Sequence, residues 1–318
     1  MSTKSKLIEI LLNNGGEFIS GENLGRSLGV SRSAVSKAVM QLREEGFNIE
    51  SVQKSGHRII TGSDVFCAEA ISATLGRNVE VLCFDSIDST STYAKKLVAS
   101  GEKRDIIVAA AEQTAGRGRS GKSFYSPVGT GVYFSCVMHP GISLSDATSV
   151  TAFAAVAVCE VLETLCVVRP VIKWVNDIFV NGKKVCGILT EAVTDFESGN
   201  IDAVIIGIGI NLNTKEFPQE IKDIAGSVGC RVNRSLIIAE IADRLYKKCP
   251  HIASKDFMQG YKKRSAVIGK KISFTKNGTD YIGIATDITN NGELVVDVAN
   301  GPMLLSSGEI SINPKELF

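Results

Sequence analysis

Four Asn-Gly pairs punctuate the second half of the chain, at 181–182, 277–278, 291–292 and 300–301, each between apolar, β-branched runs. No other dipeptide signals a tight hairpin so strongly, and a two-residue turn fixes the register of the strands it joins. Around Asn181-Gly182 that register pairs Val180 with Lys183, Phe179 with Lys184 and Asp177 with Cys186. Strand side chains alternate, so Lys173, Val175, Asp177, Phe179, Lys184 and Cys186 are predicted on one face. Lys184 is then diagonal to Asp177, roughly 7–8 Å away between Cα atoms, a gap two long side chains can bridge. The pair is either a solvated ion pair worth under about 1 kcal/mol or part of a site beside the only tryptophan, Trp174, and near Gly187. The other three pairs predict a small, separate β-barrel over residues 269–312.

Residues 116–122 read Gly-Arg-Gly-Arg-Ser-Gly-Lys. Glycines let a backbone take positive φ and approach a ligand closely, and arginine forks suit carboxylate and phosphate oxygens. Neither the Gly-Lys-Ser/Thr ending of a P-loop nor the spacing of a dinucleotide fingerprint is present. The segment is either a solvated turn or a flexible basic loop of an enzyme that brings two anions together. A buried strand over 108–111 delivers Gln113 to the start of this loop, where α/β proteins place ligand-contacting amides. Ser89, Thr90 and Ser91 follow an apolar strand and either cap the next helix or turn hydroxyls to a ligand. In residues 203–211, Ile206, Ile208 and Ile210 take one face while Gly207 and Gly209 bare the other, with Asn211 at the end. Such a face admits either a tightly packed helix or a flat ring.

The first 60 residues form a separate unit. Leu7, Ile8, Ile10, Leu11 and Leu12 mark a helix over 6–13; Ser20 caps a second over 21–28, and Gly29 breaks it. Ser31 caps a third, to about Glu45, that buries Val35, Val39 and Leu42. Two short strands, 48–51 and 57–60, flank a wing turn. A winged helix-turn-helix of this kind presents Arg32, Ser33, Ser36, Lys37, Gln41 and Arg43 on its third helix and Lys54 on its wing, short polar groups for base edges and cations for phosphates. Residues 1–60 carry eight Lys/Arg against six Asp/Glu, a surplus concentrated on that surface. Protein contact alone is the competing use of such a module.

A net charge of +1 over 318 residues gives no global field for polyanions, so nucleic-acid contact must be local. Eight cysteines without Cys-x-x-Cys and only three histidines argue against zinc and against a disulfide framework, and suit reduced thiols in the cytoplasm. No apolar run is expected to approach membrane length.

Taken together, these residues resemble the biotin protein ligases, in the form that doubles as the biotin operon repressor. The motifs are Asp88-Ser89-Thr90, Gln113 with the 116–121 loop, Lys173-Trp174-x-Asn176-Asp177, Lys184-x-x-Gly187-Ile188-Leu189 and Gly207-Ile208-Gly209-Ile210-Asn211, beside the winged helix. The resemblance implies a multidomain α+β protein: a winged helix-turn-helix at 1–63, a mixed α/β catalytic domain akin to class II aminoacyl-tRNA synthetases at 64–267, and a β-barrel at 268–318. It implies biotin contacts from Ser89, Thr90, Ser91, Gln113, Gly116, Arg117, Gly118, Arg119, Lys184, Gly187, Gly207 and Gly209. It places nucleotide contacts at Arg119, Ser120, Gly121, Lys122, Phe124, Lys173, Asn176, Asp177 and Asn211, with Lys184, Arg119 and Arg117 catalytic. Biotin, ATP and Mg²⁺ are implied, with no dedicated protein metal site. So are biotin carboxyl carrier protein, operator DNA and a homodimer promoted by biotinyl-adenylate, without a membrane. Lipoate ligases, related in fold, and a non-catalytic ligand-sensing transcription factor are the alternatives. The chain departs from the family pattern at Val175 (proline in the family), Phe124 (tryptophan) and Cys186 (glycine or alanine).

Overall fold

The computed structural model describes residues 3–44, 46–60, 64–142, 144–194 and 201–312, with the backbone alone at 144–148. Helices α1 (Thr3–Asn13), α2 (Gly21–Leu28) and α3 (Arg32–Glu44) pack through Leu7, Ile8, Leu11, Leu24, Val35, Val39 and Leu42, all buried. Spacings of three and four residues put these side chains on one stripe of each helix. Ser20 Oγ accepts from Asn23 N at 3.1 Å, and Gly29 ends α2 at φ 67°. Ser31 Oγ accepts from Ala34 N at 3.2 Å to open α3. The antiparallel strands β1 (Ile49–Val52) and β2 (Gly56–Ile59) form the wing, with Lys54 exposed in its turn. Glu45, the expected end of the third helix, and residues 61–63 lie outside the described residues. Asp64, where the central unit begins, is held in place: its carboxylate accepts from Arg234 Nε at 2.7 Å.

Beyond α4 (Ala68–Thr74) lies a seven-stranded sheet of β3 (Glu80–Phe84), β4 (Ile106–Ala110), β5 (Gly131–Met138), β6 (Val171–Lys173), β7 (Asp177–Val180), β8 (Lys183–Thr194) and β9 (Ile201–Asn211). Its spatial order is β3-β4-β5-β9-β8-β7-β6, and β3–β4 is the one parallel pair. Helix α5 (Thr90–Ala99) packs on one face over β4, β5 and β9 through Ala94 and Val98. The long α6 (Leu144–Cys166), α7 (Arg234–Lys248) and α8 (Phe257–Lys263) cover the other face, over Ile188, Ile206, Ile208 and Ile210. Each such isoleucine contributes about 1.5–3 kcal/mol on full burial. Because α5 stops short of β8 and β7, that part of its face stays open for a site.

Two expectations from composition are corrected. The stretch Ser149–Cys166 of α6 is long and apolar enough to cross a membrane, yet 67% of it is buried inside the protein, as a core helix between two layers would be. Cys166 and Cys230 are joined as a disulfide with Cα atoms 5.4 Å apart; 64 residues separate them, so only the fold brings them together.

The Asn181-Gly182 turn is a two-residue hairpin at φ 48° and 79°, and Val180–Lys183 and Phe179–Lys184 pair as expected. The Asp177–Cys186 pairing does not form. A β-bulge leaves Val185 unpaired, so Ile178 pairs with Cys186 and Asp177 with Gly187. Cys186 and Val185 consequently enter the core beneath the sheet, while Lys184 and Gly187 share the open face. One extra residue reverses the side of everything after it.

The C-terminal strands β10 (Lys271–Lys276), β11 (Thr279–Ile288), β12 (Leu294–Val298), β13 (Gly301–Leu305) and β14 (Ile310–Ile312) form an antiparallel sheet ordered β13-β12-β11-β10-β14. Asn277-Gly278 makes a two-residue turn; Asn291-Gly292 sits in a longer loop; Gly301 already pairs with Val298, so Ala299 and Asn300 form the third turn. Trp174 Nε1 donates to Gly292 O at 2.9 Å and ties this sheet to the central one. Residues 313–318 lie outside the described residues.

Candidate active site

The site grows from four neighbouring strands and one folded-back segment. Residues 113–126 leave the end of β4 and return through two isolated bridges, Gln113–Ser126 and Arg117–Ser123. Gly118 N donates to Lys122 O at 2.7 Å and Phe124 N to Gly116 O at 2.8 Å, so the loop is pinned at both ends, against its expected slackness. The glycines serve close approach more than positive φ. A Cβ on Gly116 would run into Phe124 O and Ser126 Oγ, and only Gly121, at φ 75°, and the non-glycine Ser120, at φ 54°, are left-handed.

Below this segment is a cavity of about 340 Å³ lined by Arg117, Arg119, Lys122, Lys173 and Lys184, with Asp177 and Glu309 as the carboxylates. Five cations against two acids leave a net positive hole, which an anion would fill. Lys184 Nζ lies 2.7 Å from Asp177 Oδ1, yet the oxygen is not aligned for a hydrogen bond, so the contact is a charge pair. Arg119 Nη1 donates to Asn176 Oδ1 at 3.2 Å, and Asn176 Nδ2 donates to Ile188 O at 2.9 Å, which fixes both side chains over the strand. Lys122 Nζ reaches Glu309 Oε2 of the C-terminal sheet at 2.6 Å. Burial holds the Lys173 ammonium below its usual pKa, with Asp177 working in the opposite direction. The buried Asn211, in the cavity wall, has an Oδ1 with no hydrogen-bond partner.

Next to the cavity is an uncharged cluster. Gln113 Oε1 accepts from Thr90 N at 2.9 Å and from Thr90 Oγ1 at 3.1 Å, while Gln113 Nε2 donates to Ser126 Oγ at 2.9 Å. Ser135 Oγ donates to Thr90 Oγ1 at 2.9 Å and lies 3.0 Å from Ser91 Oγ. Ser89 Oγ caps α5 by accepting from Thr92 N. Gly207 leaves the room that Ser91 and Ser135 occupy. Gly209 and Gly187 leave room for the ring of Phe124, so the bare strip expected along this strand is covered by the protein's own hydroxyl and phenyl groups.

The residues singled out in sequence thus fall into two groups. Arg117, Gly118, Arg119, Lys122, Phe124, Lys173, Asn176, Asp177, Lys184, Gly187 and Asn211 line the cavity. Ser89, Thr90, Ser91, Gln113, Gly116 and Gly207 surround or support the hydroxyl cluster, Gly209 lies under the Phe124 ring, and Ser120 and Gly121 form the exposed tip of the loop. Ser126, Ser135 and Glu309 were missed. Ser135 had a signal, a serine inside an otherwise largely apolar strand β5; Glu309 had none, because it reaches Lys122 across 187 residues. On α3, Arg32, Ser33, Ser36, Lys37 and Gln41 are all exposed, although Ser36 Oγ turns back to Arg32 O at 3.1 Å.

Three family models match successive parts of the chain. A helix-turn-helix domain matches residues 3–58, the biotin/lipoate A/B protein ligase family matches 83–211, and the biotin protein ligase C-terminal domain matches 267–312. The bifunctional ligase/repressor BirA of Bacillus subtilis is 34% identical over 97% of this chain and 98% of its own length. That of Escherichia coli is 27% identical over 98% and 97% respectively. The structure of the Aquifex aeolicus biotin protein ligase in complex with biotin and ATP superposes with a TM-score of 0.61 at 26% identity, covering 74% of this chain and 98% of that one. A ligase fold joined to a helix-turn-helix defines the class. The chain belongs to the bifunctional biotin ligase/repressor family.

Proposed function

We propose that this protein activates biotin with ATP as biotinyl-5′-adenylate and transfers the acyl group to a lysine of the biotin carboxyl carrier protein of acetyl-CoA carboxylase, and that it represses biotin synthesis by binding operator DNA. One observation carries the reading: five cations from three separate segments meet around one cavity beside a neutral hydroxyl cluster. A molecule with a neutral polar head and an acid tail matches that pairing. The ureido group offers one acceptor and two donors to Thr90, Ser91, Gln113 and Ser135, and Gly116 and Gly118 let the loop backbone approach. Ser89 shapes this end by capping α5.

In the first step a biotin carboxylate oxygen bonds to the α-phosphorus, the bond from that phosphorus to the bridging oxygen breaks, and pyrophosphate leaves. Two anions about 4 Å apart repel by about 4 kcal/mol at an effective dielectric near 20, which is about three decades of rate. Lys184, Arg117 and Arg119 offset that repulsion and stabilise the charge of the pentavalent phosphate. Lys122 and Lys173 hold the outer phosphates, Asn176, Asp177 and Asn211 orient the nucleotide, and Phe124 packs beside it; Ser120 and Gly121 turn the loop over the adenylate. No described cluster of three metal-binding side chains exists, and Asp177 is the carboxylate that fits a Mg²⁺ carried mainly by phosphates. Magnesium would supply charge neutralisation there. In the second step the acceptor amine bonds to the acyl carbon, AMP leaves, and the ammonium loses a proton; the covering loop keeps water from the anhydride.

The winged helix supports the repressor role, with Ser33, Ser36 and Gln41 toward base edges in the major groove and Arg32, Lys37 and Lys54 toward backbone phosphates. Adenylate binding orders the loop and favours a homodimer that sets two winged helices on a palindrome. The protein works in the cytoplasm. Its central fold is of the class II synthetase kind, and the bulged C-terminal sheet is a small barrel. Incubation with ATP, biotin and a carrier domain tests the whole reading: lysine biotinylation is expected, and labelling with lipoate but not biotin would overturn it.

A further inference from the structure

The winged helix holds a polar cluster at the base of its wing, where both ends of α3 meet β2. His57 on β2 is the register partner of Ser51 on β1, with Ser51 Oγ 2.6 Å from His57 Nδ1. Arg43, near the end of α3, donates from Nη2 to the same Ser51 oxygen at 2.7 Å and from Nε to Ile49 O at 2.9 Å. Arg32 stands at the start of α3. Its Nε and His57 Nε2 come within 3.7 and 3.8 Å of the point where a Cβ on Gly21 would lie. Arg32 and Arg43 are separated by just over three helical turns, so they share a helix face. The wing sets the imidazole between them.

No ion pair among the described residues engages Arg32 or Arg43. The charges nearby are accounted for. From α3 the imidazole faces these two guanidiniums, from β1 it faces Ser51, and Ile19 before α2 pairs with its backbone at 2.9 Å. Arg58, next to it on β2, is matched by Glu50 at 2.7 Å, and Arg26 on α2 by Glu22 at 3.2 Å. Burial first, then Arg43 and Arg32, hold the imidazole below its usual pKa. The free protein therefore keeps it neutral at pH 7, between two cations without a counter-ion.

We propose that Arg32, His57 and Arg43 form a subsite for one DNA backbone phosphate at the base of the wing, and that seating the phosphate takes up a proton on His57. The inference rests on the DNA-binding reading above. In the free protein Ser51 O–H donates to Nδ1 and leaves Nε2–H for a phosphate oxygen. A phosphate replaces the repulsion of the guanidiniums by attraction, so the ring accepts a solvent proton at Nδ1, and Nδ1–H then donates to Ser51 Oγ. Affinity rises as pH falls through the interval between the free and bound pKa values, by at most about tenfold per pH unit for one proton. Each added phosphate contact also steepens the salt dependence by about 0.9 in log–log slope. His57 is the only histidine in the first 60 residues, the others being His139 and His251. The terminal amine titrates nearer about 8, so the window from about pH 5.5 to 7 reports on His57 alone in that module.

The test uses the full chain and a labelled duplex of arbitrary sequence, about 30 base pairs long, at fixed low salt. Anisotropy should show affinity rising several-fold from about pH 7 to 5.5, and His57→Gln should flatten that dependence. A second measurement needs no variant: the imidazole pKa of His57 by NMR should rise on adding duplex, while His139 and His251 stay put. Binding that is independent of pH, a slope that survives in His57→Gln, or an unmoved His57 pKa each overturns the subsite with DNA binding intact. Absence of duplex binding at every pH removes the DNA-binding reading itself, and the subsite with it.

Discussion

Replacing Lys184 by Gln removes one charge while most of the stem beside Gly187 remains. In the structure the Lys184 and Asp177 side chains are 30% and 23% exposed, and the charge pair measures 2.7 Å. A unit charge about 4 Å from the reacting carboxylate is worth about 4 kcal/mol at an effective dielectric of 20. Water reaching a third of the side chain screens this, and about 2–3 kcal/mol survives. Adenylate formation should therefore slow about 30- to 150-fold. The loss also leaves Asp177 as an uncompensated carboxylate facing an incoming acid, so adding Asp177→Asn should recover part of it. Biotin-dependent pyrophosphate exchange reads the first step, and transfer from preformed biotinyl-adenylate to a carrier domain reads the second. The first should fall steeply and the second little. Equal losses in both would show that Lys184 holds the site together and does not act on the carboxylate, and no recovery in the double variant would remove the charge argument.

Other expectations concern the loop and the glycines. Arg119→Gly breaks the bond to Asn176 and should let activated biotin escape to stray lysines; labelling of a bystander protein measures this, and strict labelling of the carrier alone would refute it. Glu309→Ala releases Lys122, and because the pair is more than half exposed it should raise the KM for ATP by only two- to five-fold, about 0.5–1 kcal/mol, with kcat little changed. The hydrogen bond from Lys122 holds the Glu309 carboxyl below its usual pKa, so this contact is complete above the ordinary carboxylate range and is lost as the pH falls below it; hydrogen exchange in residues 117–122 should follow that midpoint and lose it in Glu309→Ala. Gly207→Ala drives a methyl group against Ser91 Oγ and should cost about 1–3 kcal/mol of stability and weaken biotin binding, which a thermal melt and a biotin titration detect.

Local chemistry made much of this protein legible. Ser20, Gly29 and Ser31 bound α2 and α3 because a hydroxyl cap and a left-handed glycine act within three residues. Asn181-Gly182 and Asn277-Gly278 set their turns because both residues tolerate positive φ. The strand pattern put Ile206, Ile208 and Ile210 into the core and the glycines onto the other face. The bulge at Val185 was not legible, since the alternation of side chains carries no mark of an extra residue, and it moved Cys186 from the expected site face to the core.

By itself, then, the order of residues determined the winged helix, the hairpin positions and which side chains carry charge, because those depend on neighbours a few positions apart. Only the tertiary structure decided that Lys122 meets Glu309, that Cys166 meets Cys230, that Phe124 covers Gly209 and that Ser135 joins Thr90. These contacts span from 45 to 187 residues for the two hydrogen bonds. Packing alone brings such distant groups together: which partner a buried hydroxyl or a lone cation finds is set by how sheet and helices close over one another, and no local pattern encodes that closure.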